Sequence, residues 1–183
     1  MKRFNFKNIS IEIDMIKQAI TILVLLLAVN SFAQNETTNT DMKKLPSVSL
    51  RTMDGDQVNT GSLGFKGPII ITFWASWCPT CKREMGTLSD LYAEWQEETG
   101  VTIVAVSLDD EKTKNNVPTL VNANGWEFLV LMDSNSDFKR AMGVNNTPHT
   151  FLINENGEIV YSRNNYSPGD EDLLYEALLK LKK

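Results

Sequence analysis

An α/β fold, with a central mixed β-sheet flanked by helices in a single domain, is what this 183-residue sequence predicts. Three observations predict it. Short apolar strands alternate with helix-compatible stretches in the order β–α–β–α–β–α–β–β–α, and such alternation builds a parallel central sheet. The last two strands flank Asn156-Gly157, a strong hairpin signal, so antiparallel strands close the sheet. No internal repeat and no second composition regime divides the chain, and its length suits one domain whose core folds without staples.

The N-terminal quarter of the chain is not part of that sheet. Residues 19–29 form an apolar run of about a dozen residues, short of the roughly 20 that a membrane span needs. Lys17 precedes the run, and Ser31 and Ala33 supply small residues at its end. This is the pattern of a signal peptide over residues 1–33, cleaved between Ala33 and Gln34; retention as a membrane anchor is the alternative. Glu12 and Asp14 are odd in a signal, and Met15-Ile16-Lys17 reads as a true start. No cysteine follows the run, which argues against a lipoprotein anchor. Residues 34–44 are polar and read as a flexible leader, with the folded domain expected over 45–183.

Within that domain, residues 48–52 are a short strand candidate, and Asp54-Gly55-Asp56 signals a turn. After Pro68, residues 69–74 form a continuous β-branched and aromatic run, expected for a strand buried on both faces. Met85, Leu88, Leu91, Tyr92 and Trp95 then recur at helical spacing, which predicts a helix over about 79–98 stopped by Gly100. Residues 101–107 read as the next strand. The stretch 110–124 is helix-compatible but contains Pro118, so it either kinks there or starts late, near Asn116. Residues 128–132 are a strand and 137–142 a short helix ended by Gly143. Residues 150–153 and 158–162 alternate apolar and polar side chains around the hairpin turn. Ser167-Pro168 and Asp170 supply cap chemistry for a terminal helix running to about 181.

The chain holds 18 Lys and Arg against 23 Asp and Glu, a net charge of -5, with no long basic run. That balance opposes phosphate neutralisation, so nucleic acid is not an expected partner. The two cysteines, Cys78 and Cys81, are too close to staple distant segments. Cys78 falls where the buried strand gives way to the helix. Unpaired N–H groups and the macrodipole at a helix N-terminus favour an anion, which lowers a thiol pKa and supplies the attacking thiolate. Cys81 lies one turn further in, within reach to resolve a mixed disulfide. A four-ligand metal site lacks partners, because His149 is the only histidine. No Gly-x-Gly-x-x-Gly fingerprint or other cofactor motif is present, so no cofactor is expected.

Phe73-Trp74-Ala75-Ser76-Trp77-Cys78-Pro79-Thr80-Cys81-Lys82 resembles the active-site signature of the thioredoxin superfamily. Arg83-Glu84-Met85 and the segment from Asn145-Asn146-Thr147-Pro148 to Ile153 resemble the exported branch of disulfide reductases typified by TlpA and ResA. The resemblance covers residues 45–183 and implies a thioredoxin-like fold and thiol–disulfide exchange. It implies Cys78 as nucleophile, Cys81 as resolving cysteine, and Trp77, Pro79 and Thr80 flanking the site. It implies a cis bond before Pro148, with Thr147 offering backbone groups to an extended substrate peptide. Thioredoxin carries a buried aspartate at the position of Thr72; this departure makes Glu84 the expected proton acceptor for Cys81, as in the ResA branch. The alternative for Glu84 is a solvated helix carboxylate near Lys82 or Lys66. For His149, strand alternation favours a side chain facing away from the sulfurs over a pH-responsive neighbour of the thiolate.

The expected activity is an exported, periplasmic protein-disulfide reductase. Apocytochrome c is one candidate substrate, and the implied electron source is a membrane thiol donor of the DsbD or CcdA type. Two other classes share the fold. Copper chaperones of the SCO type space their cysteines by three residues, and thiol peroxidases activate a single cysteine; the two-residue spacing here argues against both.

Overall fold

A computed structural model describes residues 43–182 of the chain. The signal segment expected over 1–33 and nearly all of the leader over 34–44 lie outside the described residues. Seven strands make one mixed sheet: β1 Ser49–Thr52, β2 Gln57–Asn59, β3 Ile69–Trp74, β4 Thr102–Ser107, β5 Leu129–Met132, β6 His149–Ile153 and β7 Ile159–Asn164, in the order β2-β1-β5-β4-β3-β6-β7. Four helices accompany it: α1 Pro79–Thr99, α2 Asn116–Asn124, α3 Asp137–Met142 and α4 Asp170–Leu179. Among the described residues no helix is long and apolar enough to cross a membrane.

The centre is parallel. Strand β3 pairs with β4, Thr72 opposite Ala105, and β4 pairs with β5. Every β3 residue is buried, as expected of its continuous β-branched and aromatic run. Antiparallel strands flank this centre, with β6 against β3 and β1 against β5. The hairpin at Asn156-Gly157 forms and joins β6 to β7. The edge strand β2 was not expected. Its cue was the Asp54-Gly55-Asp56 turn, whose backbone closes from Thr52 N–H to the Asp56 carbonyl at 2.8 Å. The late helix start is also the outcome near Pro118: residues 111–115 are turns, and Pro118 sits in the first turn of α2, where its missing N–H costs no intrahelical bond.

Alternation along the strands divides the core into two layers. Ile70, Trp74, Ile103, Ala105, Val130 and Leu152 face one side, where Met85 and Leu88 of α1, Val117 and Val121 of α2, and Leu174 and Leu178 of α4 cover them. Ile71, Phe73, Val106, Leu131 and Phe151 face the other side with Phe138 and Met142 of α3. The cysteines belong to the first layer. Helix α1 ends at Gly100, whose φ of +71° suits a residue without Cβ and lets its N–H close on the Gln96 carbonyl. Gly67 lies so close that an added Cβ would stand 2.4 Å from the Gly100 carbonyl oxygen, so the entries to β3 and β4 pack backbone to backbone.

Candidate active site

Strand β3 delivers the chain to the C-terminal end of the central strands at Trp74, and the turn Ala75-Ser76-Trp77 leads into α1. Cys78 is the residue that caps α1. Its backbone is extended, with φ −96° and ψ 106°, and its Sγ accepts the Cys81 backbone N–H at 3.2 Å. Pro79 follows as the first helical residue, where it has no N–H to lose. Cys78 and Cys81 are joined by a disulfide, so the site is in its oxidised form. The two sulfurs differ in access: Cys78 keeps 7% exposure and Cys81 has none. Trp77 stands 62% exposed beside them, Pro79 is exposed and Thr80 half-buried.

The loop before β6 forms the other wall. The Thr147–Pro148 bond is cis, as the resemblance implies. The Thr147 carbonyl oxygen lies 3.9 Å from Cys78 Sγ. The Pro148 carbonyl is not free, since it accepts the Asn165 N–H at 2.7 Å. Cys78, Cys81, Trp77, Pro79, Thr80, Thr147 and Pro148 therefore converge on one end of the sheet.

Glu84 is only 1% exposed, which excludes the solvated carboxylate near Lys82 or Lys66. It shares the buried face of α1 with Cys81, three residues earlier. Its Oε2 accepts from the Thr72 hydroxyl at 3.1 Å, so the carboxylate reaches the very position at which the expected aspartate is missing. Its Oε1 accepts from the Thr150 hydroxyl at 2.8 Å and from Arg163 at 3.0 Å. Burial pushes the Glu84 pKa up; the Thr150 hydrogen bond, the Arg163 charge and the Thr72 hydrogen bond pull the other way and offset only part of it. His149 lies on the opposite face, opposite Phe73 in register and stacked on Phe151 at 4.3 Å. Its Nε2 pairs with the Ser162 hydroxyl at 2.9 Å, and burial lowers its pKa.

Sequence reasoning missed two supports. Asp109, fully buried past the end of β4, accepts from the Ser76 backbone N–H at 2.8 Å, the Ser76 hydroxyl at 2.5 Å and the Ser107 hydroxyl at 2.8 Å. It clamps the turn that carries Trp77 and Cys78. The available signal was a carboxylate directly after a buried strand. Arg163 is the other. It continues the inward-facing positions of β7 one step beyond the expected strand end at 162, opposite Thr150.

The Redoxin family model matches residues 40–179. The chain belongs to the Redoxin family. This Redoxin chain is 30% identical over 146 residues to the sporulation thiol-disulfide oxidoreductase A of Bacillus subtilis, covering 78% of the chain and 87% of that relative. It is 35% identical over 111 residues to the thiol-disulfide oxidoreductase ResA of Halalkalibacterium halodurans, covering 61% of each. The matches to the first ResA relatives span 54% to 66% of their lengths. Among solved structures, a thioredoxin-like protein from Porphyromonas gingivalis superposes with a TM-score of 0.68 at 43% identity, over 75% of this chain and 90% of that one. The fold is thioredoxin-like, and the sequence sits with the TlpA/ResA-like members of that superfamily.

Proposed function

We propose that this Redoxin chain is an exported thiol–disulfide oxidoreductase that reduces disulfides in other proteins through Cys78 and Cys81. One observation carries the reading: a redox pair at a helix start, with one sulfur reachable at the N-cap and the other sealed behind it. Reduced Cys78 inherits the Cys81 N–H and the positive end of α1, which favour thiolate. That thiolate attacks one sulfur of a substrate disulfide. A mixed disulfide forms, and the substrate's other sulfur leaves as a thiolate and takes a proton. Cys81 then gives its proton to the Glu84 carboxylate and attacks Cys78 Sγ. The Cys78–Cys81 disulfide forms, the second substrate sulfur leaves and is protonated, and two electrons have passed to the substrate.

The surroundings support a protein substrate. Trp77 and Pro79 offer an open apolar surface beside the sulfur, and the Thr147 backbone suits an extended peptide. The signal pattern over 1–33 supports action outside the cytoplasm, in the periplasm. There the cycle needs re-reduction by a membrane thiol donor of the DsbD or CcdA type, and apocytochrome c is a fitting substrate.

Cys81→Ser tests the reading. The variant stalls at the mixed disulfide with Cys78, and non-reducing electrophoresis followed by mass spectrometry identifies the captured protein. Failure of the reduced variant to trap any protein disulfide, with wild type inert toward insulin disulfides, overturns it.

A further inference from the structure

We propose that Arg163 is a positioning residue that keeps Glu84 ionised and oriented as the proton acceptor for Cys81, and that Asp170 holds Arg163 in place. The inference rests on the reading that Glu84 takes the Cys81 proton.

The arginine comes from the opposite end of the domain sequence, yet its side chain is only 13% exposed. One guanidinium nitrogen donates to Glu84 at 3.0 Å, and the other pairs with the Asp170 carboxylate at the start of α4. The guanidinium lies over the Tyr166 ring, 5.3 Å from its centroid. Those three contacts leave the fork little freedom. Tyr166 is anchored in turn, sharing a hydrogen bond with the Thr87 hydroxyl of α1 and donating to Glu171. A rigid strut thus runs from α4 through Arg163 to the carboxylate on α1.

Among the described residues Arg163 is the sole cation bonded to Glu84. Strands β3 and β6 present only the hydroxyls of Thr72 and Thr150. Strand β7 presents Tyr161 beside Arg163, and the following turn presents Tyr166; burial raises both phenols, so they stay neutral over the working range. Asp170 faces Glu84 through the arginine, and Cys81 faces it from α1 itself. An acceptor must be ionised before it can take a proton. Burial opposes that, and Arg163 is the charge that counters it. Without Arg163 the carboxyl keeps its own proton to higher pH, and Cys81 loses its acceptor.

Two measurements decide the matter, one independent of turnover. Carbon-13 NMR titration of the Glu84 carboxyl in the oxidised protein should move upward by about one pH unit in Arg163→Gln. The acidic limb of the insulin-reduction pH profile should move up with it, and Arg163→Lys should restore part of both shifts. Asp170→Asn, which leaves the arginine without its anchor, should move the titration up by a smaller amount, and it decides the question if Arg163→Gln does not fold. A Glu84 titration unmoved in these variants overturns the inference, whatever their activity. A titration that moves in a protein unable to reduce disulfides overturns the reductase reading, and with it the assigned role of the strut in turnover.

Discussion

Two carboxylates, Asp109 and Glu84, are buried on either side of the cysteine motif, and their surroundings differ in kind. Asp109 binds a backbone N–H and two serine hydroxyls and meets no cation among its hydrogen-bond partners. Glu84 binds only side chains, two threonine hydroxyls and an arginine. A carboxylate tied to the main chain fixes where the chain runs. One tied only to side chains can gain or lose a proton while the backbone stays put. The first therefore shapes the approach to Cys78, and the second suits the proton-acceptor role proposed for it at Cys81.

The sharpest way to break this contrast is to remove Asp109. Asp109→Ala strands the Ser76 N–H and two hydroxyls, and at about 1–3 kcal/mol for a buried polar group left unpaired the expected loss is about 3 kcal/mol in urea unfolding. A loss below about 1 kcal/mol would mean that the clamp carries no weight. Glu84→Gln keeps the shape and one acceptor oxygen, so its main effect falls on rate. Turnover near neutrality should drop about 100-fold, or about 2.7 kcal/mol of barrier, and the acidic limb of the pH profile should vanish. An unchanged profile would return Glu84 to a packing role.

A subtler separation comes from stability against pH. The folded pKa of Glu84 lies above its ordinary value of 4.5, so the unfolded chain releases this proton first. Between the two values the native state holds more protons than the unfolded state, and stability falls as pH rises through that window. Calorimetry of wild type and Glu84→Gln across this range should show the decline only in wild type; parallel curves would contradict the assignment. Smallest of all is the effect expected of His149→Gln. The ring stacks on the face away from the cysteines, so the pH profile of turnover should move by less than about 0.2 units. A larger shift would make His149 part of the proton path.

What could be read from the sequence, and what could not, follows the same division between local and distant contacts. The β-branched and aromatic run of β3, the helical spacing after Cys78 and the Asn156-Gly157 turn are local signals, and each became the element expected. The cysteine pair and the proline loop were legible as motifs, although 69 residues separate Cys78 from Thr147. Glu84 was legible through its spacing from Cys81. Its partner was not: Arg163 is 79 residues away and lies beyond the strand end that alternation suggested. The β2 strand escaped because three residues, Gln57-Val58-Asn59, are too few to show a period. Asp109 looks like one more surface acid until the turn folds over it.

Trp77 gives the site an optical property. This indole is exposed and one residue from a sulfur pair, and a disulfide quenches a neighbouring indole, so its emission is expected to rise when the pair is reduced. The three remaining tryptophans, Trp74, Trp95 and Trp126, are buried in the core layer that also holds the cysteines. The protein thus carries its own indicator dye, and comparison with Trp77→Phe isolates that indicator's signal from the rest.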